Sequence, residues 1–381
     1  MTNPLHTSRH YPALDGLRAF AILLVIPHNA DVFSANHLWA AGMLAHVGWI
    51  GVQLFFVLSG FLITGNLLDS QGAPNYYQSF FARRVLRIFP LYYGVLIVTF
   101  LVIPHVGTLP RDMTASAHNQ VWLWTFLVNW TEPFGHGVEG FSHFWSLAVE
   151  EQFYFIWPFL LYRRTAKTVF SLSIGLMLVA FAIRCALVLA AARHDILYMF
   201  TFCRMDALAA GAAAAALMRT PHGGVLTHRH AKRWWIGGLA ILAVGAIPTG
   251  LYALKGNGTY TIGYTILSVG FAALILGGVV QSSGASKLYQ KLLSVAPLRS
   301  VGRYSYGMYV FHMLIITMVG GSILASLKPL FPVWYPVIFP LIIIALSYCV
   351  AFASFHGFEK HFLRLKQRFT PAANVAMQPT V

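Results

Sequence analysis

Apolar runs of membrane length recur along this chain, parted by short polar segments where arginine, lysine and turn residues collect. Ten runs come close to the roughly 20 residues that a helix needs to cross a bilayer. They fall at 13–33, 46–68, 88–104, 142–162, 168–191, 198–218, 234–253, 260–281, 302–326 and 333–356. A shorter stretch, 121–130, predicts a re-entrant or interfacial helix, with an eleventh span as the alternative. The pattern is all-α: a polytopic transmembrane helical bundle of about ten spans. It forms one domain over 1–369, followed by a disordered tail at 370–381.

Composition agrees with the pattern. The 381 residues are 57% hydrophobic and 10% charged, against about 25% charged in a soluble domain. Mean hydropathy is +0.65. Cys185, Cys203 and Cys349 all lie in apolar runs, so neither a disulfide framework nor a zinc spacing can be built from them.

The net charge of +15 would suit nucleic acid, but its distribution reads as topology, and no nucleic-acid partner is expected. With the N-terminus in the cytoplasm, the inner segments collect Arg83, Arg84, Arg87, Arg163, Arg164, Lys287, Lys291, Arg364 and Arg368 among others. The outer segments hold only Arg111, Arg193, Lys255 and Lys328. That asymmetry is the positive-inside pattern. It predicts cytoplasmic termini and a multi-pass protein of the inner (plasma) membrane, with the lipid bilayer as its surroundings. The first apolar run is too long for a cleavable signal, and no small-residue cleavage site follows it.

Polar groups inside the apolar runs change the picture, because an ionisable group in lipid is costly and marks function by default. The first run carries Asp15 and Arg18 at its entrance and His28 and Asn29 near its far end. The second holds Gly51, Ser59, Gly60 and Gly65, small residues that let helices approach closely. Ahead of the third, Arg84 and Arg87 share one helix face, with Arg83 beside them. Such a group suits phosphate, or equally topology and lipid headgroups. The fourth run, HFWSLAVEEQFYFIWP, buries Ser146, Glu150 and Glu151. Adjacent helical residues point about 100° apart, so only one carboxylate can face a given cavity.

The sixth run contains Arg204 and Asp206, two apart and so not facing each other; they read as partners for other helices. The ninth begins with Arg303, Tyr306, Tyr309 and His312, and Glu359 is an acid among bases at the end of the tenth. The longest outer loop, 104–142 and its edge, carries His105, His118, His136 and His143. None of these makes the i, i+4 pair of a helical metal site. They read as exposed loop histidines, and no metal is expected.

The ordered set LDGLRAFAILLVIPH, GVQLFFVLSGFLI, FFARRVLRIFPLYY, HFWSLAVEEQFYFIWP, RMDALAAGA, GRYSYGMYVFH and FEKHFLRLKQRF resembles the acyltransferase-3 family of integral membrane acyltransferases over about residues 11–369. The resemblance implies transfer of an acyl group, usually acetyl, from acetyl-CoA to a hydroxyl of a carbohydrate or glycosylated acceptor, without a metal. It implies that His28 is the first-helix catalytic histidine and Arg18 the basic residue before it. Arg84 and Arg87 match the arginine pair that serves acyl-CoA, and Glu150 and Glu151 the acidic motif. The expected catalytic set is therefore His28, Glu150, Glu151, Arg18 and Asp15. Arg83, Arg84, Arg87, Arg303 and Tyr309 are expected at the donor, and Asn29, Ser146, Arg204, Asp206 and His312 at the acceptor or in support.

This chain departs from the family pattern in one place. The family has ten residues between the basic residue and the histidine; here there are nine, and Asn29 stands where the histidine would fall. Positions eleven apart are about 20° from eclipsed and positions ten apart about 80° off. Pro27 can kink the helix and rotate His28 into place. Some family members carry a second, exported esterase-like domain; the membrane domain alone is expected here.

The expected chemistry is direct transfer, with His28 as general base and a carboxylate of the fourth span fixing its tautomer. An acyl-histidine intermediate is the alternative course. A glycolipid or small-solute transporter or flippase with an intramembrane proton relay is the rival reading, although no matching pair of broken helices marks two halves. A membrane scaffold is a third reading, and polar groups recur on too many spans to favour it.

Overall fold

The computed structural model describes residues 11–30, 42, 46–280 and 284–371, and among them every regular element is helical. Helices stand at all ten predicted positions: α1 (Pro12–Ala30), α2 (Ile50–Asp69), α3 (Tyr76–Ile97), α4 (Trp145–Leu161), α5 (Ala166–Leu189), α6 (Thr201–Leu217), α7 (Ala231–Ala246), α8 (Tyr264–Val279), α9 (Ala296–Ile315) and α10 (Tyr335–Ser354). With their continuations, eight are long and apolar enough to cross a membrane. The other two, α4 and α7, have 17 and 16 residues. Residues 372–381 of the expected tail lie outside the described residues.

Two helices run furthest beyond their apolar runs. The third begins at Tyr76 and continues through a π turn to Val106. Arg83, Arg84 and Arg87 are thus carried on the helix itself. The last continues through a π turn at Phe355–Glu359 and ends at Phe369. Hydrophobic periodicity cannot see such extensions, because basic residues interrupt the apolar run there.

Close packing follows the small residues. A Cβ on Gly60 would meet the Leu208 carbonyl oxygen at 1.9 Å, and one on Gly211 the Val57 oxygen at 2.0 Å, so α2 and α6 touch backbone to backbone. A Cβ on Gly302 would lie 1.9 Å from the Asp15 oxygen, which joins α9 to the entrance of α1 in the same way. Glycine lets such crossings form without hydrocarbon between the helices.

The buried charges of α6 find partners elsewhere, since residues two apart diverge around the helix. Asp206 pairs with Arg184 of α5 at 2.9 Å, both side chains being fully buried. Arg184 also donates to the Cys203 carbonyl at 2.7 Å and the Thr265 hydroxyl at 2.7 Å. Arg204 lies among the rings of Trp49, Phe56, Trp145, Tyr198 and Tyr264, the last 4.1 Å away.

The 121–130 stretch forms two short helices, Val121–Trp124 and Val128–Thr131, broken at Phe126 with φ of 54°. Tyr92 and Tyr93 of α3 donate to the Leu123 and Trp124 carbonyls at 2.7 and 3.1 Å. Gln152 of α4 donates to the Phe126 carbonyl at 2.8 Å. The stretch is pinned between helices by its own backbone acceptors.

Candidate functional site

Three cavities meet at Arg18 and Arg87. The narrow one, about 100 Å³, runs between α1, α2, α3, α4 and α9, from Arg18, Arg84 and Arg87 past Glu150 to Ser146 and Tyr309. Two wider ones, about 390 and 300 Å³, open beneath it among basic residues. Asp15 pairs with Arg18 at 3.2 Å one turn along α1, so the entrance carboxylate holds the arginine at the junction.

Glu150 is the carboxylate that lines the narrow cavity. Ser59 donates to its Oε1 at 2.9 Å and Tyr154, one turn on, to its Oε2 at 2.7 Å. Ser59 therefore does more than thin the α2 surface, as its place among small residues implied. Glu151 is turned to another side, and its Oε1 is buried with no hydrogen-bond partner among the described residues. Arg84 lies 3.9 Å over the Tyr154 ring, with both carboxylates acting on it. Arg87 lines all three cavities and Arg83 one of the wide ones. Arg303 lines the other wide one.

At the far end of the narrow cavity the hydroxyls of Tyr309 and Ser146 touch, and Tyr309 donates to the His143 carbonyl at 2.9 Å. One turn on from Tyr309, His312 is fully buried. Its Nδ1–H donates to the Tyr309 carbonyl at 2.7 Å, which leaves the lone pair on Nε2. That Nε2 meets the Asn29 amide at 2.9 Å. The His143 ring stands edge-on to His312 with centroids 4.8 Å apart.

His143 corrects the reading of the loop histidines. His105, His118 and His136 are exposed, but His143 is 4% exposed. It precedes α4 rather than sitting in the loop proper, and its Nε2–H donates to the Val310 carbonyl at 3.3 Å. Its spacing was the missed signal: seven residues before Glu150 is two helical turns on one face.

His28 and Asn29 leave α1 in different directions. Asn29 reaches α9, whereas a Cβ built on Gly48 would lie 2.9 Å from the His28 Cβ, so His28 faces the turn before α2. Arg204 and Asp206 stand apart from the cavity, in the α5–α6–α8 contact described above. Beyond the spans, Glu132 is half-buried in the 132–142 loop, with its Oε2 enclosed. Burial pushes its carboxyl up to about 8, and Asp195 and Glu139 add to the rise while Ser142 opposes it. Among the described residues no three His, Cys, Asp or Glu side chains gather as a metal site.

A family model described as an acyltransferase domain matches residues 11–356. The chain is 29% identical over 373 residues to the peptidoglycan O-acetyltransferase OatA of Listeria monocytogenes, covering 93% of this chain and 56% of that protein. It is 28% identical to the O-acetyltransferase OatA of Staphylococcus aureus, covering 90% of this chain and 57% of the relative. The chain thus spans about half the length of the curated relatives it matches. No solved structure matches it.

Proposed function

Since this chain belongs to the family of integral-membrane acyltransferase domains, we propose that it moves an acetyl group from acyl-CoA to a hydroxyl of a carbohydrate acceptor. The observation that carries this reading is one continuous path. It leads from the basic cavities at Arg18 and Arg87, past Glu150, to the Tyr309 and Ser146 hydroxyls beside the Asn29–His312 pair. The cavities fit such a donor: a charged head suits the arginines, and only a slender arm suits a passage of about 100 Å³.

His312 is the general base in this reading. Its Nδ1–H is committed to a backbone carbonyl, and the acceptor hydroxyl displaces the Asn29 amide from Nε2, which takes the hydroxyl proton as its oxygen attacks the thioester carbon. The carbon–sulfur bond breaks, and the proton passes from His312 to the leaving thiolate. Ser146 and Tyr309, both hydrogen-bonded to the His143 carbonyl, shape the end of the passage where the thioester arrives. Glu150, held by Ser59 and Tyr154, fixes the charge balance around Arg18 and Arg84. The acceptor is a polysaccharide hydroxyl, in keeping with the name of the Listeria relative, a peptidoglycan O-acetyltransferase.

The test is thiol release from acetyl-CoA by the purified protein with a muropeptide acceptor, in wild type, His312→Ala and His28→Ala. A fall of about 10²- to 10⁴-fold in His312→Ala, with His28→Ala retaining turnover, supports the assignment. The reverse pattern returns the role to His28, at the position the first-helix motif implies. Proton-driven solute flux in liposomes without thiol release would replace the enzyme reading by the transporter.

A further inference from the structure

The narrow cavity admits the arm of an acyl-CoA and leaves its nucleotide head in the two wide lobes. Both lobes share Asp15, Arg18 and Arg87, and beyond that wall they differ. One is edged by Tyr304 and Phe355 and sets a second carboxylate, Glu359, against Arg299 and Arg303. The other is edged by Arg83, Arg84 and Lys366, and Asp15 is the carboxylate among its lining residues. The aromatic edge suits a flat purine. The other lobe, with three further cations and no further carboxylate, suits a phosphate monoester, whose charge approaches −2 near neutral pH.

Lys366 gets there because the end of the chain turns back. The short helix Lys360–Leu365 and the turn Lys366–Phe369 pack against α3, and the Asn75 amide donates to the Thr370 carbonyl at 2.9 Å. The neighbouring Arg364 and Arg368 are exposed, whereas Lys366 is half-buried against the lobe. Their difference in exposure separates a cation that is aimed inward from ordinary surface charge.

We propose that Lys366 is a specificity residue that binds the ribose 3′-phosphate of the donor, so that the enzyme discriminates CoA from 3′-dephospho-CoA. The inference rests on acyl-CoA being the donor, as proposed above. The adenine then lies in the lobe edged by Tyr304 and Phe355, and the diphosphate lies at Arg87, where lobes and passage meet.

The experiment compares KM for acetyl-CoA and acetyl-3′-dephospho-CoA, by thiol release from the purified full-length protein in detergent. Wild type is expected to show a KM about 10- to 100-fold higher for the dephospho donor, the range of one lost charge-assisted hydrogen bond. Lys366→Ala should raise KM for acetyl-CoA by a like factor and leave that for the dephospho donor unchanged. Lys366→Arg should keep the discrimination, and so should Arg364→Ala. Equal KM values for the two donors in wild type overturn the inference without needing any variant to fold, while leaving the donor reading standing. A Lys366→Ala protein that weakens both donors equally overturns it as well. Thiol release from neither donor overturns the donor reading and this inference together.

Discussion

The side-chain amide of Asn29 meets Nε2 of His312 at 2.9 Å, across 283 positions of sequence. The contact joins the C-terminal end of α1 to α9, one turn beyond the Tyr309 hydroxyl that lines the narrow cavity. Since Nδ1–H of His312 is fixed by a backbone carbonyl, Asn29 controls how the basic nitrogen is aimed.

Asn29→Ala should therefore lower kcat for acetyl transfer by about tenfold, the scale of one neutral hydrogen bond, with KM for the donor unchanged. Steady-state kinetics with both substrates varied separates this from a loss of donor binding. An unchanged kcat would show that Asn29 does not position the base.

Arg84 and Arg87 share a helix face but not a situation. Arg87 lines all three cavities, whereas Arg84 lines two of them and is also stacked on Tyr154 beside the α4 carboxylates. Arg87→Ala should raise KM for acetyl-CoA about 10- to 100-fold, as expected for a lost charge-assisted contact. Arg84→Ala should lower kcat and melting temperature besides raising KM, because it also leaves half-buried carboxylates without their cation. Equal effects of the two on kcat and melting temperature would refute the division.

The Arg184–Asp206 pair is fully buried and hydrogen-bonded around its rim. Removing one partner strands the other charge, so Arg184→Ala should cost about 3–5 kcal/mol. Replacing both, as Arg184→Met with Asp206→Leu, should cost distinctly less. Thermal unfolding in detergent checks the order of the two, and a double variant no more stable than the single one contradicts it.

Glu132 makes the 104–142 loop pH-sensitive. Its carboxyl is raised from 4.5 to about 8, so the folded loop binds a proton that the unfolded chain has already released. Its contribution to stability is whole below pH 4.5 and is lost as pH rises towards about 8. Proteolysis of the 104–142 loop should accelerate across that window in wild type, and Glu132→Gln should flatten the dependence. A profile identical in both proteins would place the titration elsewhere.

Much of this molecule was legible in one dimension. Each of the ten apolar runs became a helix, because a lipid-facing segment must satisfy its own backbone and its length is set by the bilayer. The i, i+3 spacing placed Arg84 with Arg87, and Asp15 with Arg18, on common faces. The costly carboxylate in the fourth run marked the cavity wall. The small residues of the second run foretold the backbone contact at Gly60.

The tertiary structure alone decided which way each helix was turned. Sequence spacing fixes angles between side chains of one helix, but not the helix's rotation against its neighbours, which packing sets. That rotation sent Asn29 rather than its neighbour His28 to His312, and turned Glu150 rather than Glu151 to the cavity. It also buried His143 against Val310, 167 positions away. Asp206 likewise found its partner on α5 rather than in Arg204, because two residues 200° apart on one helix cannot meet while two on facing helices can.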